Sequence, residues 1–372
     1  MGAHALVRTG AASAVIATLV LASAFVAGAQ NAPAESGKTA KQGKPAKAEK
    51  VAKPSPFFES EKPLELTLTA NLRQLRGDKE TAHPWRPATL SYTADDGKPV
   101  TAPVRVRTRG IWRLKTCEFP PTRLNFVKDS TKATIFKGLD QPKLVSYCRD
   151  NDEAEQYVLQ ELQLYRIYRL LTPISHAARL VRMTYMDNAG GRPLTTRYAF
   201  LMEEFSVVAA QAGGKEIATK GARQGDLDPY HDALIGVFQY FIGNTDFSIS
   251  GLHNAELIQR PDGTIFPVAY DFDFSGAVNA RYATVDPSLS VKNVRDRLFR
   301  GMCVETAEFN RVIALFNDKK SAIYALYSDE VGQRMARRTV DETLKYFDEF
   351  YRTINDPRKV KREILDACRA GS

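Results

Sequence analysis

Asp246, Asn254, Asp271 and Asp273 lie close together in the chain, separated by apolar runs and a turn signal at Arg260-Pro261-Asp262-Gly263. Carboxylates and an amide brought together by a loop and a hairpin are hard oxygen donors, which suit magnesium bound to phosphate oxygens. In such a centre Asn254 and Asp271 hold the metal, and Asp273 is a second ligand or a substitute for Asp271. Asp246 takes the proton of an acceptor hydroxyl. Asp271 and Asp273 are two residues apart, so on a continuing strand both face one side. The chemistry this implies is phosphoryl transfer, which asks a protein for charge neutralisation, a carboxylate at the acceptor and a cation on the nucleotide.

The surrounding patterns divide into a strand-rich half and a helical half. Short alternating runs occupy 64–68, 88–92, 104–107 and 123–127, with a turn at Asp95-Asp96-Gly97 and a further strand over 143–148. Asn151 or Asp152 caps a helix that ends at Thr172-Pro173 and carries Val158, Leu162 and Tyr165 on one stripe. Strands over 180–186 and 197–202 follow. Helices are expected over 231–242, 291–301, 305–316, 329–353 and 357–368, and the only strands among them flank the turn at 260–263. The aromatic residues Tyr346, Phe347, Phe350 and Tyr351 read as core. His253, beside Asn254, either assists the site or holds the loop backbone.

Phe238-Gln239-Tyr240-Phe241-Ile242-Gly243-Asn244-Thr245-Asp246 to His253-Asn254, followed by Pro267 to Gly276, resembles the catalytic region of CotH-type protein kinases. The resemblance reaches upstream to Val106-Arg107-Thr108-Arg109-Gly110 and to Tyr198 through Glu204, and spans about 63–301. Cys117-Glu118-Phe119-Pro120-Pro121, Lys143 through Cys148 and Arg300-Gly301-Met302-Cys303 are similar to a secreted, cysteine-bearing subgroup. It implies an α+β, two-lobed protein-kinase-like fold, with a β-rich N-lobe over 56–204 and a helical C-lobe over 205–372 carrying the metal and phosphate site. It also implies Asp246 as base, Asn254 and Asp271 as metal ligands, and Arg109 on the phosphate side. Where the family places a phosphate-binding lysine, this chain has Pro120-Pro121-Thr122-Arg123, so Arg123 is the nearest inward cation, with Glu161 (or Glu155) as its helical partner. Magnesium is the implied metal, ATP or another nucleotide the donor, and a protein or cell-envelope hydroxyl the acceptor. Two other readings fit the same carboxylates: a catalytically silent binding or envelope-structure protein, and a metal-dependent hydrolase.

Residues 1–29 read as a secretory signal, with Arg8, an apolar run from Ala14 to Ala27, and small residues at Ala27-Gly28-Ala29. Residues 30–55 are rich in Lys, Ala and Pro and read as a flexible linker. Export to the periplasm or beyond is expected, with no membrane span after signal cleavage. The formal net charge is +9, but much of it lies in that lysine-rich segment and there is no basic stripe, which argues against a nucleic-acid partner. Four cysteines without a Cys-x-x-Cys pair argue for disulfides over zinc. Of the three possible pairings, Cys117–Cys148 is favoured because both flank strands of one half. The chain lacks a Walker phosphate loop, a Gly-x-Gly-x-x-Gly run, His-Glu-x-x-His and Gly-x-Ser-x-Gly.

Overall fold

The structure is a computed structural model that describes residues 53–80 and 83–370. The expected signal at 1–29 and all but the last three residues of the expected linker lie outside them. The first half contains β1 (Leu64–Ala70), α1 (Leu72–Gly77), β2 (Arg86–Thr93), β3 (Pro99–Thr108), α2 (Trp112–Thr116), β4 (Thr122–Phe126), α3 (Lys128–Thr131) and β5 (Lys143–Val145). The long helix α4 (Asp152–Leu171) and strands β6 (Ala178–Asp187) and β7 (Thr195–Met202) follow. Asn151 caps α4, its Oδ1 accepting from Ala154 N at 2.8 Å.

The seven strands close into a barrel in the order β1-β2-β3-β4-β5-β7-β6. Closure comes from β6 running parallel to β1, with Leu64 opposite Val181 and Ala70 opposite Asp187, while the other pairings are antiparallel. Period-2 alternation sends Leu66, Leu68, Val104, Val106, Leu124, Leu144, Val181, Met183 and Leu201 into the barrel. The opposite faces of β6 and β7, with Leu180, Phe200 and Met202, pack into a second core shared with α4 and the later helices.

This corrects the expected two-lobed protein-kinase-like fold with a β-rich N-lobe and a helical C-lobe. The sheet is a closed mixed barrel, because the return strand β6 finds its partner in β1. Local alternation predicts strands but says nothing about that long-range pairing.

The later elements are α5 (Phe205–Gln211), β8 (Lys215–Ile217), α6 (Pro229–Ile242), β9 (Ala255–Gln259), β10 (Ile265–Ala269), α7 (Thr306–Ala325), α8 (Arg337–Ile354) and α9 (Pro357–Val360). Strands β10, β9 and β8 form a small antiparallel sheet, and the β9–β10 hairpin turns at Gly263, whose φ is +89°. The expected helix over 291–301 is absent. Asp296 instead accepts backbone hydrogen bonds from Lys292 and Asn293, which competes with helix formation. Arg297 leaves the segment to donate to Phe241 O and Tyr346 O. Tyr346, Phe347, Phe350 and Tyr351 of α8 are buried.

All four cysteines are paired, Cys117 with Cys148 and Cys303 with Cys368, as the favoured pairing anticipated. Among the described residues no helix is long and apolar enough to cross a membrane.

Helix α6 contains a buried acid with a measurable consequence. Asp232 is buried, its Oδ1 lacks a hydrogen-bond partner, and burial pushes its carboxyl up to about 7. The folded state therefore holds this proton more tightly than the unfolded chain. Its contribution is fully present below about pH 4 and is lost as pH rises to about 7, a slope totalling roughly 2–4 kcal/mol. Asp232→Asn is expected to flatten that slope and to raise stability at pH 8, as read by urea denaturation at several pH values. An unchanged slope in the variant would assign the pH dependence to other groups.

Candidate active site

Helix α6 begins at Asp228, whose Oδ1 accepts from His231 N at 3.0 Å, and has Pro229 in its first turn. It ends at Gly243, in the left-handed region at φ +64°, so the chain can leave the helix as a loop. Asn244, fully buried, accepts from Asp246 N at 2.9 Å and shapes the turn. The Asp246 carboxylate then receives His253 Nε2 at 2.9 Å and Asn254 Nδ2 at 3.1 Å, while Asn254 Nδ2 also donates to Asp246 O at 2.7 Å. Backbone hydrogen bonds in both directions between Ser248 and His253 close the loop. Asp246 is thus oriented by two donors and still partly exposed, at 39% of its side chain.

The hairpin β9–β10 brings Asn254 and Asp271 together at its open end, where Tyr270 N donates to Asn254 O at 3.2 Å. Asn254 (φ +51°) and Asp271 (φ +61°) are both in the left-handed region. That conformation is costly for residues other than glycine and recurs at functional sites. Strand β10 ends at Ala269, so the expected continuation of the strand through Asp273 does not occur. Phe272 instead packs between them into a cluster with Tyr165, Tyr168 and Phe238. Both Asp271 and Asp273 nevertheless act on the same neighbour, Glu161 of α4.

Glu161 is buried, and burial together with the charges of Asp273 and Asp271 holds its carboxyl well above the usual range. Asp273 is pushed up to about 7, first by burial and then by Asp271. It accepts from Tyr282 Oη at 3.0 Å and lies 3.6 Å from Arg113 Nη1. The strongest cations around Glu161 are Arg113 and Arg109, whereas Arg123 sits among Arg109, Arg107, Glu204 and Glu256. The expected partnership of Glu161 with Arg123 is therefore replaced by one with Arg113 and Arg109. Glu155, the alternative partner, instead accepts from Tyr198 N at 2.7 Å.

The cationic side is larger than sequence reading indicated. Arg107 stands opposite Arg123 across β3 and β4, and Arg123 opposite Lys143 across β4 and β5. Arg109 lies two residues beyond Arg107, past the end of β3. Lys143 is largely buried, 3.7 Å from Glu256 Oε1 and 4.4 Å from the Tyr270 ring centre. Burial lowers its pKa, opposed by Glu256 and Asp271. Burial likewise lowers Arg109, whose strongest favourable charge is Asp271. Glu256 is fastened from behind by His176 at 2.7 Å. For Arg113, burial alone would lower the pKa, but Tyr282 and Asp273 outweigh it and the net direction is up.

Arg113, Lys143, Glu256, His176 and Tyr282 were not read from the sequence as site residues. For Lys143 a signal existed, a lysine heading the apolar strand Leu144-Val145. The other four carried no local mark. The oxygen donors fit a magnesium ion: Asn254 uses only its amide nitrogen toward Asp246, and no hydrogen bond or ion pair occupies the Asp271 carboxylate among the described residues. Among those residues no group of three or more His, Cys, Asp or Glu could hold a metal. Two side-chain oxygen donors, Asn254 Oδ1 and the Asp271 carboxylate, would leave the remainder of a magnesium shell to waters and phosphate oxygens. Compared with protein-family models, curated proteins and solved structures, the chain has no match.

Proposed function

We propose that the chain is an exported phosphotransferase that passes a phosphoryl group from a magnesium nucleotide to a hydroxyl of a protein or cell-envelope acceptor. The observation that carries this reading is the row Arg107, Arg123 and Lys143 with Arg109 beside it, set near Asp271. Like charges directly opposite across strands are destabilising, Glu256 answers only part of this charge through Lys143, and the triphosphate of a nucleotide would add further negative charge along the row. The resemblance to CotH-type kinases implies the same reaction, and the two disulfides are in keeping with an oxidising compartment.

In this reaction Lys143 and Arg109 hold phosphate oxygens, and Asp271 with Asn254 would hold the metal. Bound magnesium supplies neutralisation of phosphate charge. Asp246 accepts the proton of the acceptor hydroxyl as its oxygen bonds to the γ-phosphorus and the bond to the β-phosphate oxygen breaks. His253 and Asn254 keep that carboxylate aimed. Asp273, tied to Arg113 and Tyr282, steadies the cluster and is the weaker candidate for a metal ligand.

Calorimetric titration with ATP, with magnesium and then with a chelator, tests the reading. Binding in the micromolar to millimolar range that weakens about tenfold or more without magnesium is expected. Absence of binding at millimolar ATP rejects it. The Asp246–His253 pair also suits activation of a water, which makes a metal-dependent hydrolase the second reading. Metal binding with no preference for nucleotide would favour that alternative.

A further inference from the structure

A cavity of about 180 Å³ opens between residues 247–250, which directly follow Asp246 in the loop after α6, and the C-terminal segment. Three arginines line it, Arg223, Arg300 and Arg369, with an apolar floor that includes Phe247, Ile249 and Met302. Arg300 donates to Thr245 O, one residue before Asp246, while its Nε is buried without a partner. Arg223 and Arg369 make no ion pair through their side chains among the described residues. Burial and the neighbouring Arg369 lower the pKa of Arg300, opposed by Asp286 and Asp246. The Arg300 guanidinium feels the charges of Asp246 and Asp286 but forms an ion pair with neither among the described residues, so the lining of the cavity carries an excess of positive charge.

The cluster is built rather than incidental. Arg369 N donates to Gly301 O, and Cys303 N donates to Arg369 O, each at 3.0 Å. The Cys303–Cys368 disulfide clasps the same two segments, so Arg300 and Arg369 are held side by side. On the other wall Gly221 N donates to Ser250 O at 2.8 Å, tying the segment of Arg223 to the Asp246 loop. The apolar floor favours an anion carried on a carbon skeleton over a fully hydrated free ion. The planar guanidinium fork matches a carboxylate.

We infer that this cavity is the acceptor subsite, binding a glutamate or aspartate side chain of an acidic peptide whose neighbouring serine or threonine is presented to Asp246. The assignment rests on the phosphotransfer reading for the hydroxyl, though the carboxylate subsite stands on its own residues. An acidic residue seated on Arg223, Arg300 and Arg369 would anchor the peptide next to the carboxylate that takes the proton.

The test is fluorescence anisotropy of the full chain with a labelled peptide carrying serine flanked by glutamates, and with its glutamine counterpart. The acidic peptide is expected to bind at least about tenfold more tightly, and Arg223→Gln with Arg369→Gln should remove that preference. Both arginines are exposed, so the fold should tolerate the changes, and magnesium–ATP affinity in the same variant should match the parent. Equal binding of the two peptides, or an unchanged acidic preference in the variant, overturns the proposal. So does binding of an acidic polysaccharide where the acidic peptide fails to bind. In the parent chain, absence of ATP binding alongside a clear preference for the acidic peptide would reject phosphotransfer and leave the carboxylate subsite in place.

Discussion

Asp246→Asn is expected to lower phosphoryl transfer by ~10³-fold, with nucleotide affinity held within about twofold. The amide keeps the shape of the carboxylate and can still accept from His253, but it cannot take a proton from the acceptor hydroxyl. Because the parent side chain is partly exposed and outside the core, the variant should fold, as circular dichroism and an unchanged melting temperature would show. Asp271→Ala provides the contrast. It removes the carboxylate near Arg109 and Lys143 and should abolish the gain in ATP affinity on adding magnesium. Activity of Asp246→Asn within about tenfold of the parent would remove Asp246 from the role of base.

The second large effect concerns the scaffold. Gly243→Ala is expected to destabilise the protein by about 3–5 kcal/mol, measured by urea unfolding. Alanine at φ +64° costs about 1–2 kcal/mol, and its methyl would collide with the hydroxyl of Tyr346. That ring cannot easily withdraw, since it is buried and Arg297 lies 3.5 Å from its centre. The Tyr346 hydroxyl is buried without a partner, so Tyr346→Phe alone should be close to neutral. Combined with Gly243→Ala, it should return most of the collision cost and leave the backbone cost, a non-additivity of about 2 kcal/mol. Strict additivity would mean that the penalty lies in the backbone alone. The same packing sets the loop of Asp246 against the turn after Asp273, through Gly276 N to Gly243 O at 3.0 Å.

Local physical chemistry made much of this protein legible in advance. The cap at Asn151, the turn at Gly263, the alternating strands and the helical stripe of α4 depend on neighbours within a few residues. They could therefore be read directly. The oxygen donors Asp246, Asn254 and Asp271 were also visible, because a loop and one hairpin suffice to bring them together. The break in the helix expected over 291–301 was harder, since it follows from Asp296 capturing backbone groups and Arg297 reaching distant carbonyls.

What only the tertiary structure decided were the contacts between residues far apart in the chain. Barrel closure depends on β6 choosing β1 as its parallel partner, across more than a hundred residues, and alternation is indifferent to that choice. The cations of the site belong to the same class. Arg107, Arg123 and Lys143 become neighbours only through strand register, and Arg113 reaches Asp273 only because α2 is held beside the turn after β10. A carboxylate's need for partners can be read from its own residue type. Which distant side chains meet that need is set by the packing of the whole fold.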